Sequence, residues 1–187
     1  MIKIEKITPC DDPKFIKPMR LFYTQDGKEK SWEIVQTHDS VAILLYDQTH
    51  DAFVLVRQFR PAVFLKNENG YTYELCAGLI DKEGKSIAQI ASEEILEECG
   101  YAVAEEKLER ITSFFTAVGF AGGEQTLFFA SVDESMRVAE GGGIDEEKIE
   151  VVYLPVSEAR DFMFDETKAK TPGLMFAFMW YFERFAR

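Results

Sequence analysis

Three glutamates stand close together near the middle of the chain, with a spacing that suits the binding of a metal ion. Glu94, Glu97 and Glu98 occupy positions i, i+3 and i+4, which in a helix places their carboxylates on one face. Glu93 adds a fourth carboxylate beside them. Oxygen ligands of this kind suit a hard cation such as Mg²⁺ or Mn²⁺ rather than zinc. A solvated acidic helix face would show the same spacing, so the pattern alone leaves both interpretations open.

The residues around these glutamates carry the signals of a helix with a defined start and end. Ser86 followed by Gln89 matches a capping box, and apolar residues then recur at helical spacing. Gly100 supplies a C-terminal stop signal. The sequence therefore predicts a helix over residues 86–99, directly after a turn that contains Gly78. No Lys or Arg lies within it to offset the repulsion between its carboxylates, which costs roughly a few tenths of a kcal/mol per pair.

Apolar runs and turn signals on either side of this helix predict a fold of the α/β class, a mixed sheet between helices preceded by a small N-terminal β-hairpin. A turn at Gln25-Asp26-Gly27 joins the two strands of the hairpin. Residues 66–70 are expected to form a loop. Strands are expected over 19–24, 31–36, 40–46, 53–58, 71–76, 111–115, 126–132 and 149–154, and further helices over 157–164 and from Thr171 onwards.

Composition narrows the range of partners and compartments. A formal net charge of -12 disfavours a nucleic-acid partner, because gripping phosphate backbones requires a basic surface. An acidic protein can still bind a small anion through a divalent cation. Three cysteines without a Cys-x-x-Cys pair disfavour a structural zinc site and suit a reducing compartment. Residues 1–10 lack the apolar core of a signal peptide and no apolar run could span a membrane, so we expect a cytoplasmic protein.

The segment around the helix resembles a known sequence motif. Residues 78–101, GLIDKEGKSIAQIASEEILEECGY, resemble the Nudix box, whose pattern is G-x5-E-x7-R-E-U-x-E-E-x-G-U with U an apolar residue. The matching positions are Gly78, Glu94, Ile95, Glu97, Glu98, Gly100 and Tyr101. Glu93 stands where the pattern has Arg, and Lys85 stands at its first Glu after one extra residue. Because the resemblance assigns that Arg the orientation of a catalytic carboxylate, this role is vacant or filled from elsewhere.

Segments outside the box resemble one branch of the Nudix hydrolases. VRQFRPAVF, ELCAGLID, EECGY and a later GGG run followed by acids are similar to the UDP-glucose pyrophosphatase branch of the ADP-ribose pyrophosphatase-like enzymes. The similarity extends from about Trp32 to the C-terminal helix. It implies metal-dependent hydrolysis of a nucleoside diphosphate sugar, with UDP-glucose giving UMP and glucose 1-phosphate. The absence of a Pro near Val118 leans away from ADP-ribose.

Two alternatives to this activity stay open on the sequence. The first is hydrolysis of ADP-ribose to AMP and ribose 5-phosphate. The second is a binding module with a Nudix fold that has lost catalysis, for which Glu93 is the best support. A third activity, removal of RNA caps, fits poorly with the charge of -12.

The resemblance also implies a set of ligands for Mg²⁺, or Mn²⁺ in its place. Glu94 and Glu98 bind the metal directly, and Glu97 helps to bind it or positions its water. The backbone carbonyl of Ala77, beside the first glycine of the box, is a further ligand. The turn at Gly78 agrees with this, because a glycine lets the backbone approach an ion closely.

A general base is expected outside the helix, in the flexible loop that begins with Gly141, Gly142 and Gly143. In the enzymes that the chain resembles, this loop brings a Glu towards the metal. Counting back from the strand at residues 149–154 assigns the base to Glu147, with Asp145 and Glu146 as the reserves. A solvated mobile turn is the alternative interpretation of the loop. His38 and His50 lie far from the box and are less promising.

The remaining site residues are expected to contact the substrate. Arg60 has a planar fork that can hold diphosphate oxygens, whereas Arg57 lies on the opposite face of the same strand. Glu74 is a second candidate for orienting metal or substrate, and Trp32 for stacking on the base across a dimer. We expect residues 1–38 to form a hairpin region that pairs two subunits into a homodimer, and residues 39–187 to form the Nudix domain.

Overall fold

The computed structural model describes residues 2, 4–14, 16–144 and 147–185, and the chain divides into two units. The first unit comprises Met1–His38 and Phe115–Gly123, and the second comprises Asp39–Phe114 and Glu124–Arg187. The first therefore includes a segment from the middle of the chain, which the sequence did not associate with the hairpin. The division into a pairing region and a Nudix domain stays a prediction.

The first unit is built on the expected hairpin. Strands β1 (Lys17–Gln25) and β2 (Lys28–Gln36) pair in antiparallel fashion. Asp26 and Gly27 join them with φ angles of 53° and 73°, and two successive positive φ values are typical of the turn whose twist matches a hairpin. Most hairpin side chains are exposed, including Phe22 at 75%.

The second unit holds a mixed sheet, so the expected α/β class is confirmed. Its strands are β3 (Ser40–Asp47), β4 (Ala52–Phe59), β5 (Tyr71–Glu74), β6 (Cys76–Leu79), β7 (Glu109–Thr116), β8 (Gly123–Val132) and β9 (Ile149–Pro155). They run in the order β5-β4-β3-β8-β7, with β6 against β3 and β9 against β4. Strands β3 and β8 are parallel, whereas β3 and β4 are antiparallel. The helices are α1 (Pro61–Asn67), α2 (Ile87–Glu94), α3 (Ala159–Phe164) and α4 (Pro172–Phe185).

Helices cover both faces of this sheet, because alternate residues of a strand point to opposite sides. Val41 and Ile43 of β3 belong to a buried cluster with Ile90 of α2. Leu44 belongs to a second cluster, with Phe178 of α4 and other aromatic residues. Such burial on both faces explains why β3 and β4 read as nearly continuous apolar runs. In the described part of the chain, none of the helices combines the length and apolar character that crossing a bilayer requires.

Three local features differ from the expectations. A short helix, α1, covers the start of the segment expected as a loop, with Pro61 in its first turn. The strand expected over 71–76 is interrupted, because β5 pairs with β4 whereas β6 pairs with the beginning of β3. The helix expected over 86–99 is α-helical only to Glu94 and continues as a π-helical turn, Ile95–Cys99.

Candidate active site

A cavity of about 480 Å³ lies in the second unit, which is a volume typical of sites for small molecules. Strands β4, β5 and β6, the end of the acidic helix and the loop before β9 all contribute side chains to its wall. The structure brings together every site residue that the sequence placed in this unit and that it describes, namely Arg60, Glu74, Ala77, Glu94, Glu97, Glu98 and Glu147.

The capping box and the apolar face of α2 determine where its carboxylates lie. The Ser86 hydroxyl accepts a hydrogen bond from the Gln89 amide at 3.0 Å, and the Gln89 side chain accepts one from the Ser86 amide at 2.8 Å. Ile90 and Ile95 are fully buried against the sheet, so the other face of the helix turns towards the cavity. The π-helical turn places Glu97 and Glu98 at the end of this face, and such turns are frequent at functional sites.

Glu98 is the most enclosed of these carboxylates, with only 5% of the residue exposed. Its carboxylate accepts a hydrogen bond from the Ala77 amide at 2.9 Å, which ties the helix end to β6. Burial raises the pKa of Glu98 to about 7, although the bonds from Ala77 and from the Cys76 thiol act in the opposite direction. A buried carboxylate of this kind is costly to ionise unless a positive charge lies beside it.

Glu94 lies against the backbone of β6 at the glycine of the box. A Cβ added to Gly78 would lie 2.1 Å from the Glu94 Cδ, so any other residue here would displace the carboxylate. Burial raises the pKa of Glu94 to about 7, and the nearby Glu97 and Glu147 add to this increase. Burial therefore raises the pKa of two carboxylates in the same cavity to about 7.

A lysine of the cavity wall places a positive charge beside three glutamates of the helix. The Lys82 ammonium lies 3.7 Å from the Glu94 Oε1, 3.7 Å from the Glu97 Oε1 and 3.0 Å from the Glu93 Oε2. Among the described residues, no three acidic, His or Cys side chains converge as a ready-made cage for an ion. Two carboxylates with raised pKa, beside backbone and open cavity, instead fit a divalent cation that keeps several of its waters.

The glycine loop is docked onto the end of the acidic helix, which the sequence did not predict. The Gly142 amide donates to the Glu98 carbonyl at 2.8 Å, and the Gly143 amide donates to the Glu97 carbonyl at 3.0 Å. A Cβ on Gly141 would lie 2.4 Å from the Glu98 carbonyl oxygen, so the approach requires a glycine. The loop thus satisfies helix carbonyls that would otherwise lack partners.

This docking carries Glu147 to the wall of the cavity. Its carboxylate accepts a hydrogen bond from the Ile144 amide at 3.1 Å, which holds the side chain within its own loop. Asp145 and Glu146, the two reserves for the base, lie outside the described residues. The choice of Glu147 as the base therefore stays a prediction.

Arg60 and Glu74 lie side by side in the cavity wall. The Arg60 Nε and Nη2 donate to the two carboxylate oxygens of Glu74 at 2.8 and 2.7 Å, and this pairing raises the pKa of Arg60. The Thr72 hydroxyl also donates to Glu74. By contrast, Arg57 donates to Glu150 at 2.6 Å and is not among the residues that line the cavity.

Some residues of the cavity wall were not predicted from the sequence. Gln58 lies two positions before Arg60, and the period of two along a strand could have identified it. Ser40 lies on β3 and Gln125 on β8, and the side-chain amide of Gln125 donates a hydrogen bond to the Ser40 hydroxyl at 3.1 Å. No local pattern links these two residues, because only the pairing of their strands brings them together.

Trp32 belongs to the first unit, on β2. It is 56% exposed, and its indole N–H donates to the Gly119 carbonyl at 2.7 Å. The hydrogen bond fixes the edge of the ring and leaves much of its surface available for contact. Its use by a substrate therefore stays a prediction.

Comparisons with known proteins identify relatives of this chain. The chain is 40% identical to the uridine diphosphate glucose pyrophosphatase NUDT14 of Bos taurus, over 92% of the chain and 90% of that protein. It is 34% identical to the Mus musculus protein of the same name, over 94% of the chain and 91% of that protein. It is also 36% identical to the GDP-mannose pyrophosphatase of Cronobacter sakazakii, over 68% of the chain and 65% of that protein.

No family model matches the chain. The two NUDT14 relatives nevertheless cover more than nine tenths of the chain at 40% and 34% identity, and the GDP-mannose pyrophosphatase covers 68% of it at 36% identity. Their names agree with the box around α2 and with the carboxylates that the structure gathers in the cavity. The chain therefore belongs to the Nudix hydrolases, enzymes that depend on a divalent metal ion.

Proposed function

We propose that this enzyme hydrolyses the diphosphate of a nucleoside diphosphate sugar, with UDP-glucose as its substrate and UMP and glucose 1-phosphate as its products. The observation that carries the proposal is the meeting of Glu94, Glu98 and Glu147 in one cavity. The similarity to uridine diphosphate glucose pyrophosphatases over 92% of the chain supports the choice of the nucleotide sugar. Hydrolysis of ADP-ribose and a purely binding role are not favoured, because the relatives are named as pyrophosphatases of other sugar nucleotides.

The metal in this proposal is Mg²⁺, for which Mn²⁺ can substitute. Glu94, Glu98 and the Ala77 carbonyl would hold it, and a site with few protein ligands suits the preference of Mg²⁺ for retained waters and substrate phosphates. When bound, the ion neutralises charge on the diphosphate oxygens and makes water a better nucleophile. The raised pKa values of Glu94 and Glu98 support this assignment, since a cation is what allows both to ionise.

The chain itself supplies the proton transfer and the orientation of the substrate. Glu147 accepts a proton from the attacking water. The water oxygen bonds to phosphorus while the P–O bond of the bridging oxygen breaks. Glu97 positions that water from the helix end. Glu74 holds the guanidinium of Arg60 by two N–H groups, and the remaining donors of Arg60 can bind the diphosphate.

The assembly that we propose is a homodimer paired through residues 1–38. The hairpin exposes Leu21, Phe22 and Trp32, and an apolar surface of this kind favours burial against a second copy. In such a dimer Trp32 would stack on the nucleobase. Sedimentation of the intact protein tests the assembly, and a single species at the chain mass of 21.4 kDa would contradict it.

A cytoplasmic location completes the proposal. Cys10, Cys76 and Cys99 are all free thiols, which suits a reducing compartment. Treatment of the purified protein with a mild oxidant should lower its activity if the thiols must stay reduced, and full activity after complete oxidation would remove this support.

A substrate panel tests the proposed function. The enzyme is incubated with UDP-glucose, UDP-galactose, ADP-glucose or ADP-ribose in the presence of Mg²⁺, and the phosphomonoesters released are quantified after phosphatase treatment. We expect the highest kcat/KM for UDP-glucose and no turnover after chelation of the metal. A clear preference for ADP-ribose would contradict the choice of substrate, and inertness towards all four would contradict the function.

A further inference from the structure

Lys82 occupies an unusual position among the acids of the cavity. It lies in the segment between β6 and α2, and its ammonium contacts Glu93, Glu94 and Glu97 at 3.0, 3.7 and 3.7 Å. Its side chain is only 31% exposed, so the lysine is held over the helix face rather than extended into solvent. A single cation is therefore shared by three carboxylates of one helix.

The three carboxylates do not have equal parts in this contact. Glu94 and Glu97 line the cavity together with Lys82, whereas Glu93 does not. Glu93 instead accepts hydrogen bonds from two lysines, Lys82 of the cavity wall at 3.0 Å and Lys85, which does not line the cavity, at 2.5 Å. The shortest contact of Lys82 is thus with Glu93, at the rim of the cavity. Its two longer contacts are with Glu94 and Glu97, which line the cavity.

Electrostatics explains why such a lysine is needed. Glu94, Glu97 and Glu98 stand within two helical turns, and their mutual repulsion would turn the outer side chains away from one another. No Lys or Arg lies within the helix to prevent this. Lys82 supplies the missing charge from the preceding loop, and an acid at position 93 holds it there.

On this basis we propose that Lys82 is a positioning residue, which Glu93 anchors and which holds the Glu94 and Glu97 carboxylates in the geometry that the reaction uses. The proposal rests on the hydrolase function proposed above. It also explains the acid at position 93, where the Nudix pattern has Arg. In this chain the positive charge is on Lys82 of the preceding loop, and Glu93 of the helix binds it.

The test compares Lys82→Gln with Lys85→Gln, a matched control that removes a lysine from the same Glu93 but not from Glu94 or Glu97. We expect Lys82→Gln to lower kcat for UDP-glucose about ten- to a hundredfold at saturating Mg²⁺, as is typical when a group that orients metal ligands is lost. Lys82→Arg should retain kcat to within about threefold, and Lys85→Gln to within about twofold, because exposed ion pairs contribute little. Thermal unfolding should show that all three variants remain folded.

A second readout does not depend on turnover. Mn²⁺ added to each protein without substrate is observed by electron paramagnetic resonance, whose line shape reports the arrangement of ligands around the ion. Lys82→Gln should change the spectrum of bound Mn²⁺ without weakening its binding, whereas Lys85→Gln should reproduce the wild-type spectrum. Adding Glu93→Arg to Lys82→Gln returns a cation beside the acids and should recover part of the lost kcat.

Three results would overturn the proposal. The first is a Lys82→Gln protein with wild-type kcat and a wild-type Mn²⁺ spectrum. The second is a Lys82→Gln protein that gains activity at limiting Mg²⁺ and loses none at saturating Mg²⁺, which would mean that Lys82 only competes with the metal ion. The third is equal effects in Lys82→Gln and Lys85→Gln. Wild-type protein that hydrolyses no nucleotide sugar would instead reject the proposed function, and the Mn²⁺ spectra would still test the role of Lys82.

Discussion

The acidic helix, residues 87–99, carries glutamates in two contrasting surroundings, which we call the rim (Glu93) and the inner end (Glu94 and Glu98). At the rim, Glu93 is bound by Lys85 and Lys82, and the hydrogen bonds from these two lysines lower its pKa. At the inner end, burial raises the pKa of Glu98 to about 7, although the bonds from the Ala77 amide and the Cys76 thiol act in the opposite direction. Both residues are glutamates of one short segment, and their surroundings alone separate them.

The difference shows which acids need a cation from outside the chain. The rim carboxylate already has its counter-charges from the loop that precedes the helix. The inner carboxylates, Glu98 and Glu94, are more deeply buried, and the Lys82 ammonium lies farther from Glu94, at 3.7 Å, than from Glu93, at 3.0 Å, so burial still raises the pKa of both to about 7. A divalent ion would replace their protons, so we assign the metal to the inner end and the lysines to the rim.

Loss of charge at the inner end is expected to have the largest effect. Glu98→Gln keeps the shape of the side chain and an oxygen for the Ala77 amide, so the fold should persist. Removing a metal ligand costs several kcal/mol of transition-state stabilisation, which is on the order of a thousandfold in kcat. Glu106→Gln, an exposed acid outside the cavity, is the control. Near-normal turnover by Glu98→Gln would show that the inner carboxylate is not a ligand.

Displacing Glu94 without removing its charge should have an intermediate effect. In Gly78→Ala the new Cβ would overlap the Glu94 carboxylate, which must then move. We expect kcat to fall about tenfold, in line with the loss of correct ligand orientation. Gly119→Ala serves as the control, because an added Cβ there meets no atom within 4 Å. Equal activity of the two variants would mean that the position of Glu94 does not matter.

The smallest effect concerns stability and pH. Burial raises the pKa of Glu94 and Glu98 from 4.5 to about 7, so between these values the folded protein binds more protons than the unfolded chain. The stability of the metal-free protein should therefore decrease as the pH rises through this window. Saturating Mg²⁺ should abolish much of the decrease, because it favours the ionised carboxylates. Thermal unfolding at pH 5 and pH 7.5, with chelator or Mg²⁺, measures both effects.

The same pH series can separate the inner end from the rest of the chain. Because Glu98→Gln has no carboxylate at this position, its metal-free stability should fall less steeply with pH than that of the wild type. Identical slopes in the two proteins would mean that Glu98 ionises as an ordinary surface acid.

Local patterns were enough to predict the α/β class, the hairpin turn and the start of the acidic helix at Ser86. These predictions depend on short-range rules such as capping and periodicity. The spacing of Glu94 and Glu98 indicated only a possible metal site, and the resemblance to the Nudix hydrolases implied their roles and nominated Glu147; the structure gathers all three in one cavity.

Features that depend on distant parts of the chain were missed. The carbonyls of the π-helical turn accept hydrogen bonds from a glycine loop that lies about forty residues later in the sequence. The helical period of the apolar residues does not predict this turn. The bidentate pair of Arg60 with Glu74 requires β4 and β5 to be neighbours. Lys82 carries no motif, and only the folded turn places its ammonium over the helix.

Titration of the metal-free protein with Mn²⁺ tests the central claim most directly. The wild type should bind the ion, with affinity that increases as the pH rises towards 7 and above, since protons must leave Glu94 and Glu98. Glu98→Gln should bind it at least about tenfold more weakly, whereas the control Glu106→Gln should match the wild type. Unchanged affinity in Glu98→Gln at every pH would contradict the assignment of the metal to the inner end of the acidic helix.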